Sequence, residues 1–263
     1  MPGSVAVHGL LFKMKKLDNT YVLNSPSPTE RGELDALKTI NKYIVAQGGP
    51  INVSVGTHKF ENVFGANKIS GTPKADIALV CFDETKGKFY DACFISHKMG
   101  TDASGFQQYS GITSKADGSK SGSISKDEVV TEFLRTLSKV HKAVVSSKQR
   151  YYTIVEDDNL IGKSIYGPLF GSAKFSEDNI HLIGQGDPVL SKKTPKAKYH
   201  TLDFSANMSL NPDVSEFKKN GYTTIIGARY TSGRNYEVDG KTYSGVRVLI
   251  MPKKLIGSKA VEI

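Results

Sequence analysis

The chain has 263 residues, 38% hydrophobic and 23% charged, a composition that excludes the disordered, collagen-like and coiled-coil classes and allows one large folded domain or two small ones. No stretch nears 18 consecutive apolar residues, and Lys13, Lys15, Lys16 and Asp18 interrupt the apolar stretches of the first 24 residues, so neither membrane insertion nor a secretory leader is expected. Lysine and arginine outnumber aspartate and glutamate by 35 to 26, a formal charge of +9, which favours a polyanionic partner such as nucleic acid.

In chain order, Val5 to Phe12 and Tyr21 to Leu23 suit one or two short strands. Ser27-Pro28-Thr29-Glu30 then sets a capping serine before a first-turn proline, with Glu30 three residues beyond the cap. Leu34, Leu37, Ile40 and Ile44 follow at helical spacing. This predicts a helix over 28–46, stopped by Gln47-Gly48-Gly49-Pro50. Two or three short strands come next, the clearest being Ile77 to Phe82 and Lys88 to Lys98, joined as a hairpin by the polar turn Asp83 to Gly87. Its two cysteines, Cys81 and Cys93, are too few for a disulfide scaffold or a structural zinc site. They read as buried thiols in a reducing, cytoplasmic setting.

Thr113 to Ser123 reads as a glycine- and serine-rich loop, and Ser125-Lys126-Asp127-Glu128 as a second capping box. The helix behind it carries Val129, Val130, Phe133, Leu134, Leu137, Val140 and Val144, more than one narrow stripe. Beyond Lys148 strand-like runs dominate: Tyr151 to Val155, Ile180 to Ile183, Thr223 to Tyr230 and Val246 to Met251, with a short helix near Glu156. The predicted division is an α/β region over 1–148 and a β-rich basic region over 149–263, which either contacts DNA or completes the same domain.

The segment that carries chemistry is the hairpin. With its turn centred near residue 85 or 86, facing residues sum to about 171 by the antiparallel register, so Asp76 lies opposite Ile95 or Ser96. Side-chain alternation puts Phe94, Ser96 and Lys98 on one face, which Asp76 can join. Ile77, Leu79, Cys81, Cys93 and Ile95 take the other. His97 is expected on that second face as a packing residue, and Asp83 and Asp91 toward solvent. A carboxylate and an ammonium converging at a strand end suit metal-assisted phosphodiester hydrolysis. The carboxylate offers hard oxygen ligands to Mg2+, with the backbone carbonyl of Ile95 beside it, and the lysine stabilises charge or acidifies the attacking water. The plainer alternative is a surface ion pair, worth about 0–1 kcal/mol.

Pro73-Lys74-Ala75-Asp76, the hairpin and Ser96-His97-Lys98, with an acidic helix before and a helix after, resemble the PD-(D/E)xK, or restriction-endonuclease-like, nuclease superfamily over Ser27 to Gly111. The resemblance implies an α/β core of helix, three-stranded mixed sheet and helix. It implies an Mg2+-dependent endonuclease, with Mn2+ as a substitute ion, acting on double-stranded DNA, and a homodimer as an arrangement such cores adopt on duplexes. Asp76 is then the metal ligand and Lys98 the catalytic lysine. Ser96 stands where an acid belongs, as in a subgroup with Ser-x-Lys that recruits its second carboxylate from a helix. Glu33, then Glu30, are the replacements, completing a metal set with Asp76 and Ile95. Gln107 or Gln108, in Gly105 to Gly111, would contact phosphate or metal-bound water.

In the second half, Lys192, Lys193, Lys196 and Lys198 form one run, Arg229 and Arg234 flank Tyr230, and Arg247 lies in a strand. Basic residues interleaved with tyrosines suit phosphate contact and base stacking. Lys193, Arg229, Arg234 and Arg247 are therefore nucleic-acid-binding candidates. The compact basic style resembles a phage or mobile-element protein acting in a host cytoplasm. Two other readings stand beside the nuclease: a catalytically degenerate nuclease fold that binds DNA or serves virion assembly, favoured by Ser96, and a phage structural or host-takeover protein in which Asp76 and Lys98 form only an ion pair.

Overall fold

The computed structural model describes residues 28–69, 73–112, 122–219 and 221–263, the side chains of 28–30, 122 and 123 excepted. The strands expected at 5–12 and 21–23, the capping Ser27 and the loop over 113–121 lie outside the described residues.

In chain order the elements are α1 (Pro28–Ala46), β1 (Ile51–Val55), β2 (His58–Lys68), β3 (Ile77–Asp83), β4 (Lys88–Lys98), β5 (Ser110–Ile112), α2 (Gly122–Ser125), α3 (Glu128–Ser147), β6 (Tyr151–Ile154), α4 (Asp158–Tyr166), β7 (Leu182–Gln185), β8 (Pro188–Ser191), β9 (His200–Phe204), β10 (Asn207–Leu210), β11 (Thr224–Val238), β12 (Lys241–Pro252) and β13 (Val261–Glu262). No helix among the described residues is long and apolar enough to cross a membrane.

The protein is a mixed α/β chain with two large sheets, and it divides into two compact units that the chain enters twice each. One comprises the chain up to Thr101 plus Lys174–Leu210; the other comprises Asp102–Ala173 plus Asn211–Ile263. The division expected near 148 is therefore replaced by breaks at 101/102, 173/174 and 210/211. Local patterning sees changes of element type, whereas the units are defined by strand pairings between segments far apart in the chain.

In the first unit the sheet has eight strands in the order β10-β7-β4-β3-β2-β1-β9-β8, not three. β1 to β4 form an antiparallel meander, while β4 pairs β7 and β1 pairs β9 in parallel. α1 lays Ala36, Leu37, Ile40 and Ile44 on Val53, Val63, Ala66, Ile77, Leu79, Cys81, Cys93 and Ile95. This is the apolar hairpin face expected from alternation, and both cysteines are buried in it as free thiols. The β3–β4 register sums to 171 near the turn and to 172 from Leu79 outward, because a bulge lies between Leu79 and Val80.

In the second unit the order is β13-β6-β11-β12-β5, and α3 packs on β11 and β12. The helix expected to close the hairpin core thus belongs to the other unit. Its cap is Asp127, extended at φ −65°, ψ 140°, whose carboxylate accepts the Val129 N–H at 3.0 Å; Ser125 instead ends α2. β11 and β12 run well past the two short strands expected there and pair as one long hairpin. The unpaired polar residues 231–234 disguise its continuity, but the turn was legible: Asp239 and Gly240 both have positive φ, 49° and 74°, the Asp-Gly signature of a two-residue hairpin loop.

Candidate active site

The first-unit site sits where β3 and β4 end side by side. Asp76 precedes β3; its N–H bonds the Ile95 carbonyl at 2.8 Å, and its own carbonyl accepts from Ile69 N–H at 3.0 Å. Its side chain then takes over from the backbone ladder. Oδ2 accepts the His97 N–H at 2.7 Å and the Ser96 hydroxyl at 3.0 Å, and lies 3.5 Å from the Lys98 ammonium. Three donors thus fix one oxygen, while Oδ1 has no hydrogen bond among the described residues. The Asp76 and Lys98 side chains are 21% and 25% exposed, so the pair is within reach of a solute.

Ser96 and His97 are buried. His97 faces the apolar side, as expected, with Nε2 2.8 Å from the Gly186 carbonyl and its ring near Phe204. Its Nδ1 is buried and has no hydrogen-bond partner among the described residues. On the neighbouring strand Gln185, in register with Lys98, is buried and donates to the Met99 carbonyl at 3.2 Å. It pins the chain directly after the lysine.

The α1 carboxylate expected here, Glu33, bonds to Lys68 rather than to Asp76 or Lys98 among the described residues. Glu33 pairs with Lys68 at 2.7 Å, each side chain 13% exposed, and Lys68 stands in register with Ile77, next to Asp76. Two carboxylate–ammonium pairs therefore occupy the same end of β2, β3 and β4, each neutralised within itself. Glu30 is helical, but its side chain lies outside the described residues. No three histidine, cysteine or acidic side chains converge as a metal cage among the described residues; of the expected set, Asp76 lies beside the Ile95 carbonyl, which accepts its N–H, and Glu33 is engaged by Lys68. What does fit a divalent cation is the free Oδ1 of Asp76, since Mg2+ is commonly held by one or two carboxylates with water and phosphate oxygens supplying the rest.

Gln107 and Gln108 lie in the second unit, after a single helical turn at 103–105 and ahead of β5, not in an element of the unit that carries Asp76. There Gln108 accepts from the Arg247 guanidinium at 2.8 Å. Arg229 and Arg247 face one another across β11 and β12, and Arg234 lies in the irregular stretch between Tyr230 and Asn235. Burial, then the charges of Arg234 and Arg229, push the Arg247 guanidinium below its ordinary pKa. Lys193 is exposed on the β8–β9 connection and belongs to the first unit, whereas these arginines belong to the second.

Sequence reasoning missed Lys68 and Gln185. Lys68 ends an alternating run whose length local signals did not fix, and nothing in the local pattern marks the Gln185 amide, between Gly184 and Gly186, as buried.

No family model and no solved structure matches the chain. It is similar to a curated protein, the type II restriction enzyme CviJI of Paramecium bursaria Chlorella virus IL3A, with 29% identity over 198 residues. The similar stretch covers 73% of this chain and 51% of the relative. The chain thus spans about half the length of that enzyme.

Proposed function

We propose that the chain is a restriction-endonuclease-like DNA nuclease that hydrolyses phosphodiester bonds with Mg2+, or Mn2+ in its place. The observation that carries this reading is the convergence of the Ser96 hydroxyl, the His97 N–H and the Lys98 ammonium on one oxygen of Asp76. Similarity to a type II restriction enzyme supports it.

The geometry divides the labour. Oδ2 is held by buried donors, so the carboxylate does not swing, and Oδ1 is presented for a cation. When bound, the cation polarises a phosphoryl oxygen and the attacking water. Lys98 supplies a fixed positive charge where negative charge grows on the phosphate. Ser96 and Gln185 position these two groups: one donates to Asp76, and the other holds the backbone after Lys98. Glu33 is given no ligand role, because Lys68 already neutralises it, and Gln107 is given none. One such site cuts one strand at a time, so a homodimer on duplex DNA is part of the proposal.

The degenerate nuclease fold is the second reading, favoured by the missing acid at Ser96 and by the engagement of Glu33 with Lys68. Supercoiled plasmid incubated with Mg2+, Mn2+ or EDTA separates the two. Nicked and linear products with either ion and none in EDTA are expected. No cutting with either ion, alongside salt-sensitive DNA binding, would overturn the nuclease reading in favour of the degenerate one.

A further inference from the structure

The long β11–β12 hairpin has two unlike faces. One is covered by α3: Lys148, which caps that helix, lies 3.0 Å from the centroid of the Tyr230 ring, and His141 packs edge-on to Tyr236 and Tyr243. The opposite face begins as core, with Ile225 beside Met251 and Leu249 opposite Gly227. One step further along it the apolar pairs give way to Arg229 directly opposite Arg247.

Two like charges facing each other across a ladder oppose pairing. Among the described residues, none of Arg229, Arg234 or Arg247 makes an ion pair with an acid. Arg135 and Lys254 of the same unit, by contrast, each have an aspartate. Arg247 is half-buried and its guanidinium is oriented by the Gln108 carbonyl oxygen at 2.8 Å. Gln108 leaves its charge intact. A strand pair that keeps uncompensated guanidinia on one face, one of them already oriented, has the donor set and the charge of an oxyanion site.

We propose that Arg229, Arg234 and Arg247 form a phosphate-binding site in the second unit, separate from Asp76 and Lys98, that takes a phosphate of the nucleic-acid backbone. That the phosphate comes from nucleic acid rests on the reading above; the preference for phosphate does not.

The test uses the full chain in EDTA, where cutting does not interfere. Binding of a random-sequence duplex is followed by anisotropy across a salt series, and melting is followed with and without inorganic phosphate. We compare wild type with R229Q, R234Q and the charge-matched control K42Q on α1. Each arginine variant is expected to bind duplex 5- to 10-fold more weakly, with a salt slope smaller by about one. Each should melt at the same or a higher temperature than wild type, since repulsion is relieved, and lose the stabilisation that phosphate gives. K42Q should change neither slope nor phosphate response. Unchanged duplex affinity and slope in R229Q and R234Q would overturn the proposal. So would a fall in melting temperature with phosphate stabilisation retained, which marks a structural role. Phosphate stabilisation lost in the variants without any change in duplex binding would leave a site for free phosphate and overturn the nucleic-acid source. The nuclease reading fails separately, by absence of cutting with Mg2+ or Mn2+.

Discussion

Asp76 has two separable jobs, because its carboxylate replaces a backbone acceptor as well as carrying charge. An asparagine at 76 keeps an oxygen for the buried His97 N–H, whereas an alanine leaves that donor unsatisfied. We therefore expect D76A to lose about 1–3 kcal/mol in urea unfolding and D76N to stay within about 1 kcal/mol of wild type. Equal losses would mean that the His97 bond contributes nothing. His181 sets a pH dependence. It is buried in ring contact with Phe175, its Nδ1 accepts the Phe94 N–H at 3.1 Å, and burial, with His58 beside it, lowers its pKa to about 3. An unfolded histidine, near 6.5, takes up the proton that the folded one refuses. The stability so gained is complete above pH 6.5 and is lost as pH falls toward 3, by at most about 1.4 kcal/mol per unit. Urea midpoints at pH 7 and pH 5 should show a drop that is smaller in H181N, whose amide oxygen replaces Nδ1 as acceptor without titrating. At this scale strand alternation was enough to place Ser96, Lys98 and Asp76 together. It could not find the partner of Glu33, because Lys68 comes from a strand whose end depends on pairing rather than on its own residues.

Among elements, the end of β4 is held by what packs against it. A Cβ at Gly184, in register with His97 on β7, would enter the Phe204 ring, which is buried. The atoms nearest a Cβ at Gly32 on α1 would all be those of Met99, a flexible side chain 40% exposed. Gly184→Ala should thus cost about 1–3 kcal/mol by overpacking. Gly32→Ala should be neutral or gain up to about 1 kcal/mol from helix propensity. Urea midpoints compare the two, and the reverse order would contradict this packing. The elements most legible from sequence were α1 and the β3–β4 hairpin, marked by helical spacing and a polar turn; α4, expected near Glu156, begins just after Asp157, whose carboxylate caps it by accepting the Leu160 N–H at 2.7 Å. The parallel pairs β4–β7 and β1–β9 carry no such mark, since their partners lie in distant segments.

For the whole molecule, interleaving of the two units forbids the simple cut that composition suggested. Division at 148 would separate β4 from β7, β1 from β9 and β5 from β12, breaking both sheets. Fragments 1–148 and 149–263 are expected to show poorly dispersed amide NMR spectra when expressed alone; a well-dispersed spectrum from either would contradict the interleaved architecture. The charge of +9 pointed to a polyanionic partner without saying where it binds. Only the pairing of β11 with β12 sets Arg229 opposite Arg247, two residues 18 apart in the chain.

The most direct test is single-turnover cleavage of duplex DNA with Mg2+ by wild type, D76N and K98M, with DNA affinity measured in parallel in EDTA. The account predicts that both substitutions slow cutting by about 100-fold or more while affinity stays within a few-fold. Cutting at the wild-type rate by either variant would contradict it and move the active site elsewhere in the chain.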